Sequence, residues 1–548
     1  MHVPSTSRED SLWRADRRPL TIGLVLTITL VAFEALAVST VMPIVAAELR
    51  GFELYGWVFS AFFLGSLVGI VVVGGLIDRG GLALPFAAGL GLFAAGLLIG
   101  GLAPSMPMLV AARLIQGLGA GAIQPIAYVA IGRTLPESLR PRMFATLSTA
   151  WVLPGVVGPA IAGLVGQTVG WRYVFLGLLP LIAVSGALTM GALRAVAASP
   201  TALEGSARAT DRRRLPLAIA VAIGAGMVTV GLTTGQIAPT VALTAGGLAI
   251  GIFALRRLTP PGTLVARPVL PAAILLRGVL TFAFFAVDAF VSLTLVTLRG
   301  LSATEAGIAL TAATVTWSAG AWIQARGSSR WPTHQFVRVG FAFTMLGLAG
   351  FLLVLHQDIT WLVALPTFAL AGLGMGLAYS PLALIVLREA PAQDHGATMS
   401  ALSLSDVLGT ALGTGVSGAI VAASVRATGT PADGLAVAFS VAIAIEVDEL
   451  LTQGRLLHSA VDGALVLGRA HGSFLEGFAA RRLTRRARPT RLPRRWLARA
   501  LTLLLDHAPS ARHWFVEARL IDRTIDTHGP NLNRADERAV DESLFGEG

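Results

Sequence analysis

Long apolar runs alternate with short polar breaks along this chain, and the runs have membrane-crossing length. A helix needs about 20 mostly apolar residues to span a bilayer, because in lipid only internal hydrogen bonding satisfies the backbone. Such runs lie at roughly 19–46, 55–77, 84–103, 107–132, 143–167 and 172–192. An arginine-rich stretch follows, then two shorter runs at roughly 216–234 and 238–255. After the break Thr259-Pro260-Pro261, runs recur near 270–298, 303–325, 336–356, 360–387 and 398–423. A fourteenth begins near Gly434, but Glu446, Asp448 and Glu449 interrupt it after about twelve residues, short for a span.

The pattern predicts an all-α polytopic membrane protein with two six-helix halves and two extra helices between them. The expected division is a cytoplasmic N-terminal segment (1–18), a first six-helix half (19–192) and a linker with the two extra spans (193–269). A second half (270–453, its last helix atypical) and an Arg-rich cytoplasmic tail (454–548) complete it. Repeated six-helix sets place a substrate site near the bilayer midplane, between the repeats.

Arginine placement orients the chain. With the N-terminus inside, twenty arginines of residues 1–445 fall on inner segments, among them Arg133, Arg140 and Arg142. Four fall outside: Arg50, Arg172, Arg299 and Arg426. Arg113 and Arg277 lie within spans. One miscounted helix would scramble this bias, so both termini are expected in the cytoplasm and the chain in a cell inner membrane. The run after Arg18 is too long for a cleavable signal.

Composition narrows the chemistry. Charged residues make up 13% of the 548, where soluble domains carry about a quarter. Cysteine is absent, which excludes disulfides and thiolate metal sites, and all 42 basic residues are arginine. Without a lysine there is no phosphate-binding P-loop, so pumping must draw on something other than a nucleotide site of that kind. No H-E-x-x-H or G-x-S-x-G pattern occurs. The expectation is no enzyme, no cofactor and no metal. The net charge of +11 reflects loop asymmetry rather than a nucleic-acid-binding face. Expected partners are a small-molecule substrate, protons and membrane lipid, with the chain a monomer. The tail, with Arg481-Arg482-x-x-Arg485-Arg486 and Trp496, Leu497, Leu501, Leu503 and Leu504, reads either as an amphipathic surface helix on anionic lipid or as a solvated segment.

Four patterns carry more specific information. Gly74-Gly75-Leu76-Ile77-Asp78-Arg79-Gly80-Gly81 stands between the second and third runs, where glycines permit a tight turn and Asp78 can pair or cap a helix. Leu109-x-x-x-Arg113-x-x-Gln116-Gly117-x-Gly119 lies in the fourth run. A charge there costs at least about 2.5–3.5 kcal/mol on insertion scales, so Arg113 must face a partner or a wet cavity, on the same face as Gln116. Gly155-x-x-Gly158-Pro159-x-x-x-Gly163 occupies the fifth run, where small residues allow close packing and Pro159 kinks the axis. Glu34 sits in the first run, nine residues before Pro43.

In this order the four patterns resemble the major facilitator superfamily, and within it the fourteen-span drug:proton antiporters, over roughly residues 20–445. The resemblance implies that Gly74, Asp78, Arg79 and Gly81 latch the two halves in one conformation. It implies a part for Arg113 in proton transfer, with Gln116 and Gly117 in the same motif. Gly155, Gly158, Pro159 and Gly163 match the motif that separates exporters from uptake members. The chain departs from the family at Leu82 and Ala83, where two basic residues are usual, at Glu34, where aspartate is usual, and at Leu36, where threonine is usual.

Glu34, Asp288 and Asp406 are carboxylates well inside spans. Burial disfavours the charged form of such a group, so it can be neutral when sealed and ionised when wet, as a proton carrier requires. Glu34 ranks first as a coupling residue, Asp288 second and Asp406 third. Arg277 precedes Asp288 by eleven residues, about 16 Å of helical rise and too far to pair. Asp406 can pair with Arg113 or sit beside small-residue packing. One proton moving down about 100 mV supplies about 2.3 kcal/mol, and one pH unit adds about 1.4 kcal/mol. The leading reading is proton-driven export of small amphipathic compounds such as drugs. Alternatives are export of an endogenous metabolite or lipid, or a non-transporting receptor or scaffold acting through its tail.

Overall fold

A computed structural model describes residues 12–15, 17–77, 82–136, 150–195, 206–328, 330–390 and 395–446, with Leu139, Met143, Thr146 and Leu147 between them. Asp78, Arg79 and Gly81 of the expected latch lie outside the described residues, as do Arg140, Arg142 and the whole tail from 447. Gly74 closes toward that loop within a helix.

Thirteen helices among the described residues are long and apolar enough to cross a membrane. They are α1 (Arg18–Glu48), α2 (Phe52–Val73), α3 (Ala83–Gly101), α4 (Met106–Ile131), α5 (Val152–Gly170), α6 (Arg172–Arg194) and α7 (Arg214–Thr233). The series continues with α8 (Ile237–Leu258), α9 (Leu270–Leu298), α10 (Ala303–Gly327), α11 (Thr333–Leu355), α12 (Trp361–Glu389) and α13 (Thr398–Thr428). A fourteenth helix, α14 at 432–446, runs to the edge of the described residues. Each of the thirteen overlaps an apolar run read from the sequence.

Local chemistry sets several boundaries. Pro19 stands in the first turn of α1 and Pro107 in that of α4, where a missing N–H leaves no bond unmade. At the start of α10 the Ser302 hydroxyl accepts from the Glu305 N–H at 3.2 Å, and the Ser302 N–H donates to Glu305 Oε2 at 2.8 Å, a reciprocal cap. Several threonine hydroxyls within the spans bond back to their own helix: Thr410 donates to the Asp406 carbonyl at 3.0 Å and Thr414 to the Thr410 carbonyl at 2.9 Å.

Helices pack first within each half. In the N-terminal half α2 and α3 lie on α4, and α5 and α6 on α1. In the C-terminal half α10 and α11 lie on α12, and α13 on α9. The halves meet through α2 on α13, α5 on α10, and α1 on α9 and α10. Their outer ends are tightly joined. Tyr55 at the start of α2 packs on Phe290 of α9 with ring centroids 5.2 Å apart, and Ser60 donates to the Ala411 carbonyl of α13 at 2.9 Å. On the arginine-rich side, Gln124 and Tyr128 of α4 are exposed and hydrogen-bonded to each other at 2.9 Å.

The two extra helices differ from each other. Of α8, 11% of its most apolar stretch is buried, against 39% for α7. Helix α8 packs on α7, which in turn touches both α2 and α13. Helix α8 therefore lies at the periphery, while α7 lies along a seam between the halves. In the sequence an apolar run reads the same whether lipid or protein covers it.

Candidate functional site

Each half holds one arginine inside its bundle, and each arginine has captured a carboxylate from another helix of the same half. In the N-terminal half, Arg113 of α4 donates through Nη1 to Glu34 Oε1 of α1 and, at 2.7 Å, to Gln116 Oε1. Its Nε donates to the Val58 carbonyl of α2 at 3.2 Å, and its guanidinium lies 4.3 Å from the centroid of the Phe62 ring. One cation therefore ties three helices together. Glu34 Oε2 and Gln116 Nε2 are buried and have no hydrogen-bond partner among the described residues.

In the C-terminal half, Arg277 of α9 donates from Nε to Asp406 Oδ1 of α13 at 3.1 Å and from Nη2 to Oδ2 at 3.5 Å. Its Nη1 donates to the Tyr379 carbonyl of α12, and the Tyr379 hydroxyl donates to Asp406 Oδ2 at 2.7 Å. Asp406 thus takes Arg277, and Arg113 is held by Glu34. Helical rise correctly separates Arg277 from Asp288, but a third helix supplies the acid that Arg277 uses.

Asp288 stands apart. It is half-buried on α9 and makes no hydrogen bond or ion pair among the described residues. Nearby on α2, the buried Tyr55 hydroxyl also lacks a hydrogen-bond partner among the described residues. Asp288 lies two residues before Phe290, whose ring packs on that of Tyr55 between the two halves.

Between the two ion clusters runs a line of aromatic rings. Phe62 meets Phe63 edge-on at 5.4 Å, Phe63 of α2 meets Phe285 of α9 at 6.2 Å, and Phe285 meets Phe284 at 5.3 Å. Phe284 meets Trp317 of α10 at 5.5 Å, and Trp317 meets Tyr379 at 5.4 Å. Phe63, Phe285, Trp317 and Tyr379 are only partly buried. The line crosses from one half to the other and offers an apolar, polarisable surface with a charge cluster at each end. Sequence reading did not single out these rings or Tyr55, because aromatic residues in apolar runs carry no local mark of the cleft.

The remaining motif residues pack helices. Gly117 backs onto the Phe62 carbonyl so closely that a Cβ there would collide with backbone, which is what brings α4 against α2. Gly155 and Gly163 face α10 of the other half: a Cβ at Gly163 would stand 2.7 Å from Thr304 Cα. Pro159 lies against Gly307 of α10, and a Cβ at Gly158 would be 3.5 Å from Phe33 of α1. Three of the four small positions in this motif therefore sit on the α5–α10 seam, and Gly158 turns to α1.

Comparison with known proteins agrees with this architecture. The Major Facilitator Superfamily model matches residues 24–414. A protein described as a probable multidrug-efflux transporter of Mycobacterium tuberculosis is 27% identical over 461 residues, covering 81% of this chain and 97% of the relative. The multidrug transporter protein MdtP of Bacillus subtilis is 25% identical over 434 residues, covering 74% of this chain and 76% of its own length. Among solved structures, an inward-facing, unoccupied bacterial homologue of the human lysosomal transporter Spinster superposes with a TM-score of 0.57 at 14% identity, covering 81% of this chain and 98% of that one. A family match over most of the spans, an all-helical two-half bundle and relatives of nearly full length point one way: this chain is a multi-pass membrane transporter of the Major Facilitator Superfamily.

Proposed function

We propose that the chain exports small amphipathic compounds across a cell inner membrane in exchange for protons, by alternating access of its central cleft. The names of its relatives support efflux, and the glycines of α5 at the α5–α10 seam support a hinge of the exporter kind. The line of half-buried rings suits cargo that is flat and largely apolar, because such a surface selects by shape and polarisability rather than by fixed hydrogen bonds. Substrate, protons and surrounding lipid suffice as partners in this reading, and the working unit is one chain.

The observation that carries proton coupling is the different attachment of the three carboxylates. Glu34 is tied to Arg113 and Asp406 to Arg277, each pair within one half, so both ride unbroken when the halves rock as rigid bodies. Of the three, Asp288 lies on the stretch of α9 whose Phe285 and Phe290 pack on α2 of the other half, and it has no ion pair among the described residues. Its surroundings change with the seam, which is what a carrier must experience to load a proton on one side and release it on the other. This geometry favours Asp288 as the exchanging group, with Glu34–Arg113 and Asp406–Arg277 holding the cleft walls and taking second place.

The test is proton flux in sealed proteoliposomes, measured with a panel of cationic and neutral amphipathic dyes. Asp288→Asn should reduce proton-driven dye movement at least about tenfold, the loss expected when a coupling step costs about 1.4 kcal/mol, while leaving dye binding measurable. Full activity in Asp288→Asn together with a loss in Glu34→Gln would move the coupling role to the N-terminal half. Full activity in both variants would remove proton coupling through these groups.

A further inference from the structure

Away from the central cleft, at the end of the bundle assigned to the cytoplasm by its arginines, a crevice of about 80 Å³ opens between α2, α7, α8 and α13. Its walls include Leu67 and Val71 of α2, Leu258 of α8, and Ser400 and Leu404 of α13, with Arg214 of α7 as the charged member. Arg214 is half-buried and makes no hydrogen bond or ion pair among the described residues. A guanidinium carries five N–H donors and no acceptor, so one set into an apolar wall without an anion among the described residues calls for an anion from outside.

Its position says which anion. Arg214 opens the apolar stretch of α7, at the level expected for the membrane surface, and the last turn of α8 adds the exposed Arg256 and Arg257 beside Leu258. Anionic lipid headgroups concentrate at that depth in the inner leaflet. The crevice has room for about three water-sized groups at roughly 30 Å³ each, enough for a phosphate or the first carbons of a lipid but not for a whole acyl chain. Its apolar walls match the carbons, and its arginine matches the phosphate.

We infer that the α2–α7–α8–α13 crevice binds the headgroup of an anionic phospholipid, with Arg214 on the phosphate and the chains remaining along the outer surface of α7 and α8. The walls belong to both halves, α2 to the first and α13 to the second, so a lipid seated there favours the arrangement in which this distance between them is kept. The site is independent of what the central cleft carries.

The experiment uses the purified full chain in detergent, titrated separately with short-chain phosphatidylglycerol, short-chain phosphatidylcholine and inorganic phosphate, with bound lipid counted by native mass spectrometry and stability followed by thermal unfolding. Phosphatidylglycerol should bind and raise the melting temperature, while phosphatidylcholine and inorganic phosphate should do neither. Arg214→Gln should weaken phosphatidylglycerol binding about fivefold, the effect of one arginine at a membrane surface, and Arg214→Lys should retain most of it. Ser400→Phe, which fills the mouth without touching the charge, should also abolish the lipid effect. Equal stabilisation by phosphatidylcholine, an equal response to inorganic phosphate, or undiminished binding in Arg214→Gln would each overturn the proposal. Should Arg214→Gln fail to fold, undiminished binding in Ser400→Phe overturns it instead.

Discussion

The N-terminal half seals its ion pair from water, with side-chain exposures of 1% for Glu34 and 3% for Arg113, whereas the C-terminal half leaves Asp406 21% exposed beside an Arg277 at 7%. The partners differ accordingly. Arg113 is surrounded by protein acceptors from three helices and a ring face, while Asp406 shares its charge between an arginine, a tyrosine hydroxyl and whatever water reaches the cleft. A sealed charge pair depends wholly on its mate, because removing one member strands the other in a medium that cannot solvate it. A pair at the edge of a cleft has a second source of solvation. The arginine–carboxylate pair of each half therefore has its own energetic weight.

That difference can be broken experimentally, beginning with its largest expected effect. Arg113→Met should cost about 3–5 kcal/mol, the usual penalty for stranding a buried charge, read as loss of folded yield and of melting temperature. Adding Glu34→Gln should restore most of that stability. A stable single variant would mean that the pair does not pin α1, α2 and α4 together. Arg277→Met should cost less, about 1–3 kcal/mol, since Asp406 keeps the Tyr379 hydroxyl and access to water. Equal losses in the two variants, compared in the same detergent, would erase the distinction between a sealed pair and an open one. The smallest effect on stability belongs to Tyr55→Phe. It removes a buried hydroxyl that has no partner among the described residues, so stability should stay within about 0.5 kcal/mol. Proton-driven transport should nonetheless fall if this phenol faces Asp288 during the cycle. Unchanged transport would take Tyr55 out of the coupling account.

Much of the architecture was legible from residue order, and the reason is physical. In lipid the backbone must satisfy itself, so spans announce themselves by length, and α1 to α13 fall where the apolar runs lie. Glu34, Arg113, Asp288 and Asp406 stood out because an ionisable side chain in such a run needs an explanation. Which acid meets which base was not legible. Glu34 and Arg113 are 79 residues apart, and Arg277 and Asp406 are 129 apart, and no local pattern encodes pairings made by the packing of whole helices. The same limit hid the position of α7. Its residues look lipid-facing because they are apolar, yet Ala218 and Val221 are buried against Leu67 of α2 and Leu404 of α13. Aromatic residues were equally silent, since Phe284 and Phe285 differ by one position and only the fold decides which ring is covered.

The double attachment of α7 has a mechanical outcome for the whole cycle. Because it leans on α2 with one flank and on α13 with another, every tilt of one bundle against its twin must shear one of those flanks. Helix α8 packs on α7 and is otherwise little covered by protein, so any movement of α7 would carry it through the surrounding lipid. If the halves rock as proposed, transport should slow in a stiffer bilayer while cargo binding stays the same.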